Sequence, residues 1–323
     1  MNASQVLGSY FYAKATKKLL TPALPFSVAF EPTTSCNLRC PECPSGLRSF
    51  TRPTGMLDPV FFKSKIDEMK EHLMYLTFYF QGEPFLHTQF LDMVNYASTN
   101  KIYTATSTNA HYLTDKVAEE TVRSGLDRLI VSIDGTTQET YESYRIGGQL
   151  DKVIEGTKKV VEWKKKLKSS TPHIVFQFLV VKPNEHQTDE VSALAKEVGV
   201  DDVQFKTAQL YDYENGNALM PENDRYSRYK KLTNGKFELK NPLHDRCWKM
   251  WHSCVITWDG KVVPCCFDKD AQHVMGDLNK QSMKEIWNAS VYNEFRRSIL
   301  RSRSEIDICT NCSEGLSILS STP

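Results

Sequence analysis

Six short runs rich in β-branched and aromatic residues punctuate the first two-thirds of the chain, at 26–31, 76–81, 103–108, 128–133, 174–181 and 202–207. Their length and content predict strands buried in a parallel sheet. Helical patterns fill the intervals. Asp58-Pro59 reads as an N-cap followed by proline at the first helical position, and Phe62, Ile66, Met69 and Leu73 then fall on one face. Thr136-x-x-Glu139 predicts a capping box, and Gly125 and Gly199 predict helix stops. Strand–helix units joined right-handedly curl into a closed or nearly closed sheet, so six of them predict an α/β fold, a partial (β/α)6 TIM-like barrel.

After Leu210 the pattern changes. Asn215-Gly216-Asn217, Pro221, Asn234-Gly235 and Asn241-Pro242 mark the turns of an irregular connector. Residues 255–258, Asp259-Gly260 and 261–263 predict a hairpin closed by a type I′ turn, and Ser282-x-x-Glu285 caps a helix carrying Ile286, Val291 and Phe295. Ahead of the first strand, Val6, Leu7, Tyr10, Phe11, Leu19 and Leu20 recur near helical spacing beside Lys14, Lys17 and Lys18. Two readings stay open there: a helix packed on the outside of the main domain, or one lying on an anionic membrane surface. The expected division is an N-terminal helical segment (1–25), the barrel (26–215), a connector (216–246) and a small C-terminal β-hairpin/helix domain (247–323).

Composition narrows the function. Hydrophobic residues at 40% and charged residues at 24% are ordinary for a globular chain, and a formal charge of +1 argues against a dedicated nucleic-acid binder. No apolar run approaches the roughly 18 residues that span a bilayer, and the first 25 residues lack a secretory signal, so the cytoplasm is the expected compartment. The nine cysteines fall in groups, 36/40/43, 247/254, 265/266 and 309/312. Grouped cysteines in a chain of this size point to metal or redox chemistry rather than a disulfide framework.

Cys36-x3-Cys40-x2-Cys43 follows the first strand directly, at the strand end where parallel α/β folds carry their chemistry. Three thiolates so close can hold three corners of a [4Fe–4S] cube and leave one iron open. Structural zinc would need a fourth ligand, and the first histidine downstream is His72, in the following helix. The motif resembles the C-x3-C-x2-C signature of the radical S-adenosylmethionine (SAM) superfamily. By that resemblance, Gly82-Glu83-Pro84 is similar to the segment that holds the SAM amino group, Ser132-Ile-Asp134-Gly135 to the family's S-x-D-G segment, and Arg145 to a SAM-carboxylate partner. Asn184 is a candidate for adenosine contact, and Ser107 and Asn109 for the site lining. The resemblance further implies a reduced [4Fe–4S] cluster that cleaves SAM to a 5′-deoxyadenosyl radical, and an electron donor such as flavodoxin or ferredoxin. His87 lies near the proposed pocket and is the candidate base, whereas His111, His173, His186 and His273 have no metal spacing. Phe78-Tyr79-Phe80 read as core, and Tyr211 and Tyr213 as lining for a substrate mouth.

The later cysteines, Cys247-x12-Gly260-x4-Cys265 and Cys309-x2-Cys312, resemble the auxiliary-cluster modules called SPASM and twitch. With no cysteine after Cys312, the resemblance favours the twitch version, one auxiliary [4Fe–4S] cluster on Cys247, Cys265, Cys309 and Cys312. Zinc on the same four thiolates is the alternative. Cys254 and Cys266 are left as buried structural thiols, second-cluster ligands or an acid/base thiol. The expected reaction is net two-electron oxidation of a small molecule such as a sugar or cyclitol alcohol. The short segment ahead of the first strand, with no room for a leader-binding domain, favours it over the alternative, modification of a peptide or protein side chain. A non-catalytic electron-transfer protein is a third possibility, and the 82–84 and 132–135 segments speak against it because an electron carrier needs no SAM cradle.

Overall fold

The structure, a computed structural model, describes residues 2–20 and 23–316; positions 21–22 of the expected N-terminal segment and 317–323 of the expected C-terminal domain lie outside the described residues. Six strands, β1 (Ser27–Phe30), β2 (Tyr75–Thr77), β3 (Tyr103–Thr108), β4 (Arg128–Ser132), β5 (His173–Val180) and β6 (Asp202–Thr207), pair in parallel in chain order, as the sequence predicts. This is the partial barrel. Alternate residues explain it. Val28, Phe30, Leu76, Phe78, Leu129 and Val131 point outward into one core with Phe62, Ile66 and Met69 of the helix Pro59–Met69, all buried. Full burial of each such side chain contributes about 1.5–3 kcal/mol. The other parity faces inward: the register aligns Ser27, Tyr75 and Tyr103 in one row, and Ser132, Gln177 and Gln204 in another. The outer face therefore holds the fold while the polar inner face is left for chemistry.

The C-terminal hairpin joins this sheet. After a separate two-stranded hairpin, β7 (Tyr229–Lys231) and β8 (Phe237–Leu239), come β9 (Ser253–Ile256), β10 (Lys261–Val263) and β11 (Gly276–Asp277). β9 lies parallel to β1, with Ser27 opposite Ser253, and β10 and β11 follow antiparallel, giving the order β11-β10-β9-β1-β2-β3-β4-β5-β6.

Several local expectations need correction. The connector is not irregular throughout, since β7 and β8 pair across Asn234-Gly235. The β9–β10 turn is not type I′: that turn needs positive φ at both central residues, and of Asp259 and Gly260 only the glycine has it, at 85°. Instead Gly260 N–H donates to Thr257 O (2.9 Å), closing a four-residue turn with glycine at its left-handed end. Helix caps at Asp58 and at Ser282/Glu285 form as predicted, but the cap before Gln138–Tyr144 is Thr137, not Thr136. The last helical pattern breaks at Ala289 into Met283–Asn288 and Ser290–Ser302, leaving Val291 exposed.

The N-terminal helix, Asn2–Thr16, packs on the protein. Val6, Tyr10 and Ala13 are buried, the Tyr10 ring meeting Trp248 and Trp251 at 5.1 and 5.4 Å between centroids, while Phe11 and Tyr12 stay exposed. Among the described residues no helix is long and apolar enough to cross a membrane.

Candidate active site

The end of β1 feeds the loop bearing Cys36, Cys40 and Cys43, and all three thiols line one cleft with Gly82, Glu83, Ser107, Asn109, Ser132 and Arg145. Gly82 makes this possible. Its φ is 76°, and an added Cβ would collide with Thr33 O and lie 2.8 Å from Ser35 O, so a residue without a side chain must pass there. Gly82 N–H donates to Ser45 Oγ (2.9 Å) and Glu83 N–H to Ser35 O (2.8 Å), stitching the end of β2 to the cysteine loop. The buried Glu83 carboxylate accepts from Thr108 Oγ1 (2.7 Å), Asn109 N (2.7 Å) and Phe85 N (3.2 Å). Burial still pushes its pKa up. Asn109 Nδ2 donates to Asn37 Oδ1 (2.8 Å) and approaches Cys36 Sγ (3.9 Å), tying the end of β3 to the same loop. His111 fixes Asn109 in turn. Gln149 N–H donates to His111 Nε2 (2.8 Å), so the ring proton sits on Nδ1 and donates to Asn109 O (2.9 Å).

Arg145 closes the cleft from the far side. Its Nε donates to the fully buried Asp134, whose other oxygen accepts from Leu179 N (2.7 Å), and its Nη1 lies 3.8 Å from Cys40 Sγ. Burial opposes the charge on Arg145, but Asp134 and Cys40 outweigh it and hold the guanidinium protonated.

The second cysteine set gathers where the chain approaches and leaves β9 and β10. Cys247, Cys309 and Cys312 are buried and Cys265 is half-buried. Gly315 packs directly on Cys247 Sγ, where a Cβ would clash. Arg303, 1% exposed, donates Nη2 to Cys312 Sγ (3.1 Å) and Nη1 to Arg246 O (2.8 Å). A buried cation against thiols is the electrostatic partner that an anionic thiolate cluster requires. Burial raises Cys36 and Cys309 to about 11 and Cys312 to about 12. Iron binding at either site must therefore displace thiol protons. Cys254, 2% exposed, is part of the apolar core, and Cys266 is exposed.

Two family models span the segments that carry the two cysteine sets. Residues 30–191 match the model of the Radical SAM superfamily, and 247–313 that of an iron–sulfur cluster-binding domain, SPASM. The chain belongs to the radical SAM superfamily. This radical SAM protein is 26% identical, over 88% of its length and 86% of the relative's, to a tungsten-containing aldehyde ferredoxin oxidoreductase cofactor-modifying protein of Pyrococcus furiosus. It is 22% identical, over 88% and 91%, to an S-adenosyl-L-methionine-dependent 2-deoxy-scyllo-inosamine dehydrogenase of Niallia circulans. Its fold is that of Streptococcus suis SuiB bound to the precursor peptide SuiA (TM-score 0.65, 14% identity, covering 91% of this chain and 70% of SuiB). The family's [4Fe–4S] cluster and SAM, and the iron–sulfur chemistry of SPASM modules, therefore apply to this chain.

Not every expected site residue reaches the radical SAM cleft. Asn184 is fully buried, its amide spent on Asp134 O (3.0 Å), Leu179 O (2.9 Å) and Val181 N (2.8 Å), so it clamps the ends of β4 and β5 rather than touching adenosine. Asp134 aims Arg145 from behind the cleft wall. Pro84 opens the short turn Pro84–Leu86. That turn sends His87 outward, where Nε2 donates to Leu57 O (2.8 Å) and Nδ1 accepts from Gln89 N (3.1 Å); with both nitrogens committed, it is no catalytic base. Conversely, Tyr79 and Phe80, expected in the core, line the cleft, and only Phe78 of that run is core. For Tyr79 the period-two phase with Tyr75 and Thr77 was the available signal, whereas Phe80 shares the parity of Leu76 and Phe78 and had none. Ser45, which anchors Gly82, had none. Tyr211 lies over the cysteine loop, its N–H on Glu42 (2.8 Å) and its hydroxyl accepting from Lys269 Nζ (3.1 Å), while Tyr213 stacks on Tyr229 at 4.4 Å.

Proposed function

We propose that the chain catalyses the two-electron oxidation of a small molecule, with the second cysteine set holding one auxiliary [4Fe–4S] cluster that removes the second electron. The carrying observation is the placement of the two sets. Cys36, Cys40 and Cys43 follow the C-terminal end of β1, whereas Cys265 follows β10, which runs opposite to β9 and β1 and so ends at the other end of the sheet. A cavity floored by Ser27, Ala29 and Val255 lies on the inner face beside Cys265, and Tyr79 lines both it and the SAM cleft. A substrate held there would lie between radical source and electron acceptor.

When bound, the first cluster and SAM supply a 5′-deoxyadenosyl radical that takes hydrogen from an unactivated carbon. The chain's part is positioning. Glu83 offers a buried carboxylate to the SAM amino group, Arg145 a guanidinium to its carboxylate, and Ser107, Asn109 and Ser132 polar edges to the rest. Tyr79 and Phe80 exclude water from the reacting carbon. A flavodoxin or ferredoxin in the cytoplasm would deliver the first electron. The small-molecule reading draws on the Niallia dehydrogenase, whose name specifies an inosamine; the SuiB likeness makes a peptide the competing outcome.

The test is anaerobic incubation of reconstituted protein with SAM and dithionite. Wild type is expected to form 5′-deoxyadenosine and Cys40→Ala none, with amino-cyclitol alcohols raising turnover and Cys312→Ala retaining SAM cleavage but losing oxidised product. No 5′-deoxyadenosine from wild type refutes the assignment, and stimulation by peptides alone refutes the substrate class.

A further inference from the structure

A second cavity, about 250 Å3, opens at the free edge of β6, between that strand, the mouth of the β7–β8 hairpin and Ser313–Glu314. It has room for a phosphate-sized group and its nearest waters, each water occupying about 30 Å3. Four cationic residues line it: Lys206, Arg225, Arg228 and Lys240. Arg228 and Lys240 face each other across the hairpin mouth, Lys240 N–H donating to Arg228 O (3.0 Å). The one lining carboxylate, Glu314, is engaged by Lys249 from outside the lining (3.1 Å), and Lys240 by Asp224 (2.8 Å). With those two pairs neutralised, Arg225 and Arg228 leave the cavity net positive.

Arg228 is the decisive group. One guanidinium nitrogen donates to Thr207 O (3.2 Å), but Nε and Nη1 are shielded from solvent and have no hydrogen-bond partner. Guanidinium N–H groups shielded and left open in this way are costly unless an anion completes them. Each open N–H adjoins Nη2, which keeps a second N–H beyond the one given to Thr207, so one edge of the guanidinium can meet two oxygens of one oxyanion, and the surplus of positive charge favours a dianion over a monoanion.

The cavity also has a route to the chemistry. Lys206 is paired with Leu179, on the inward parity shared by Gln177 and Ser132, and Ser132 lines the SAM cleft. From β6 to β4 is two strand spacings, about 10 Å.

We propose that this cavity binds a phosphate group, anchoring a phosphorylated substrate whose other end reaches the SAM cleft; the anchoring role rests on the radical-enzyme reading, whereas phosphate binding itself does not. Inorganic phosphate titrated into the anaerobically reconstituted full chain, followed by calorimetry or phosphorus NMR, tests it. Saturable binding is expected in wild type and in Lys284→Gln, an exposed cation outside the cavity that controls for charge alone. Arg228→Gln should bind at least tenfold more weakly and Arg228→Lys should be intermediate, because lysine keeps the charge but loses the fork. Iron content and 5′-deoxyadenosine formation in each variant report the fold and the radical site separately. Absence of saturable binding in wild type, unchanged affinity in Arg228→Gln, or acetate binding as tightly as phosphate would each overturn the proposal while leaving SAM cleavage untouched.

Discussion

Replacing Gly82 by alanine separates backbone strain from site disruption. Of the eight glycines with a left-handed backbone among the described residues, Gly82 at φ 76° and Gly147 at φ 81° make the comparison. A Cβ at Gly147 meets nothing within 4 Å, whereas at Gly82 it runs into Thr33 O and comes within 2.8 Å of Ser35 O. Gly147→Ala should therefore cost only the left-handed penalty, about 1–2 kcal/mol. Gly82→Ala adds displacement of packed backbone, about 1–3 kcal/mol, for a total of roughly 2–5 kcal/mol. The displaced backbone is the cysteine loop itself, and Gly82 N–H to Ser45 and Glu83 N–H to Ser35 move with it. Urea unfolding under anaerobic conditions gives the two stabilities, and iron content with 5′-deoxyadenosine formation gives the site. Gly147→Ala should keep full iron and cleavage; Gly82→Ala should lose both the iron of the first cluster and SAM cleavage. Equal destabilisation of the two variants, or full iron in Gly82→Ala, would refute the reasoning.

Three further outcomes follow from the same geometry. Asp134→Asn keeps the acceptor for Leu179 N–H but strands Arg145, and should lose about 3–5 kcal/mol; unfolding of the single and double Asp134/Arg145 variants checks it, since simply additive costs would mean no pair. His252, stacked between Phe26 and Trp248, is pushed down to about 4 by burial and then by Lys249. The folded state favours its neutral form, so its contribution is whole above pH 6.5 and falls as pH drops toward 4, by up to about 3 kcal/mol; unfolding at pH 7.5 and 5 should show a smaller loss for His252→Phe than for wild type, and equal losses would contradict it. Cys265→Ala should lose about four of eight iron atoms per chain and Cys266→Ala none, so equal iron in the two variants would remove Cys265 from the auxiliary site.

The barrel was legible because each strand carries its evidence locally: the outward residues of β1 to β6 are apolar runs long enough to recognise, and proline, glycine and serine mark the helix ends. The grouping of Cys36, Cys40 and Cys43 in one cleft was legible for the same reason, three thiols on one short loop. What failed were inferences about direction. His87 is five residues from Gly82, yet the turn begun by Pro84 points it at Leu57 rather than the cleft. Asn184 and Asp134 sit at strand ends as expected, but a side chain there can turn inward to bind or backward to hold the scaffold, and spacing does not separate the two. Tyr79 was misassigned because an aromatic run looks like core whichever face each ring takes. The pairing of β9 with β1 had no local signal, since its partners are more than 200 residues apart.

That distant pairing determines how the two cysteine sites are held relative to each other. β1 is hydrogen-bonded on one side to β2, whose end carries Gly82 and Glu83, and on the other to β9, which leads through β10 to Cys265. Glu31, at the end of β1 and fully buried, reinforces the junction: it accepts both terminal nitrogens of Arg52, at 2.8 and 2.5 Å, and Trp258 N–H at 3.2 Å. Burial raises the Glu31 pKa even so. Arg52 returns from the cysteine loop and also donates to Lys269 O (3.2 Å), four residues beyond Cys265. One carboxylate thus ties the SAM-cluster loop, the central strand and the auxiliary hairpin together. A rigid separation is what an electron acceptor needs when it must receive an electron from a substrate radical held between the two sites, because a hinged module would vary the transfer distance from one turnover to the next.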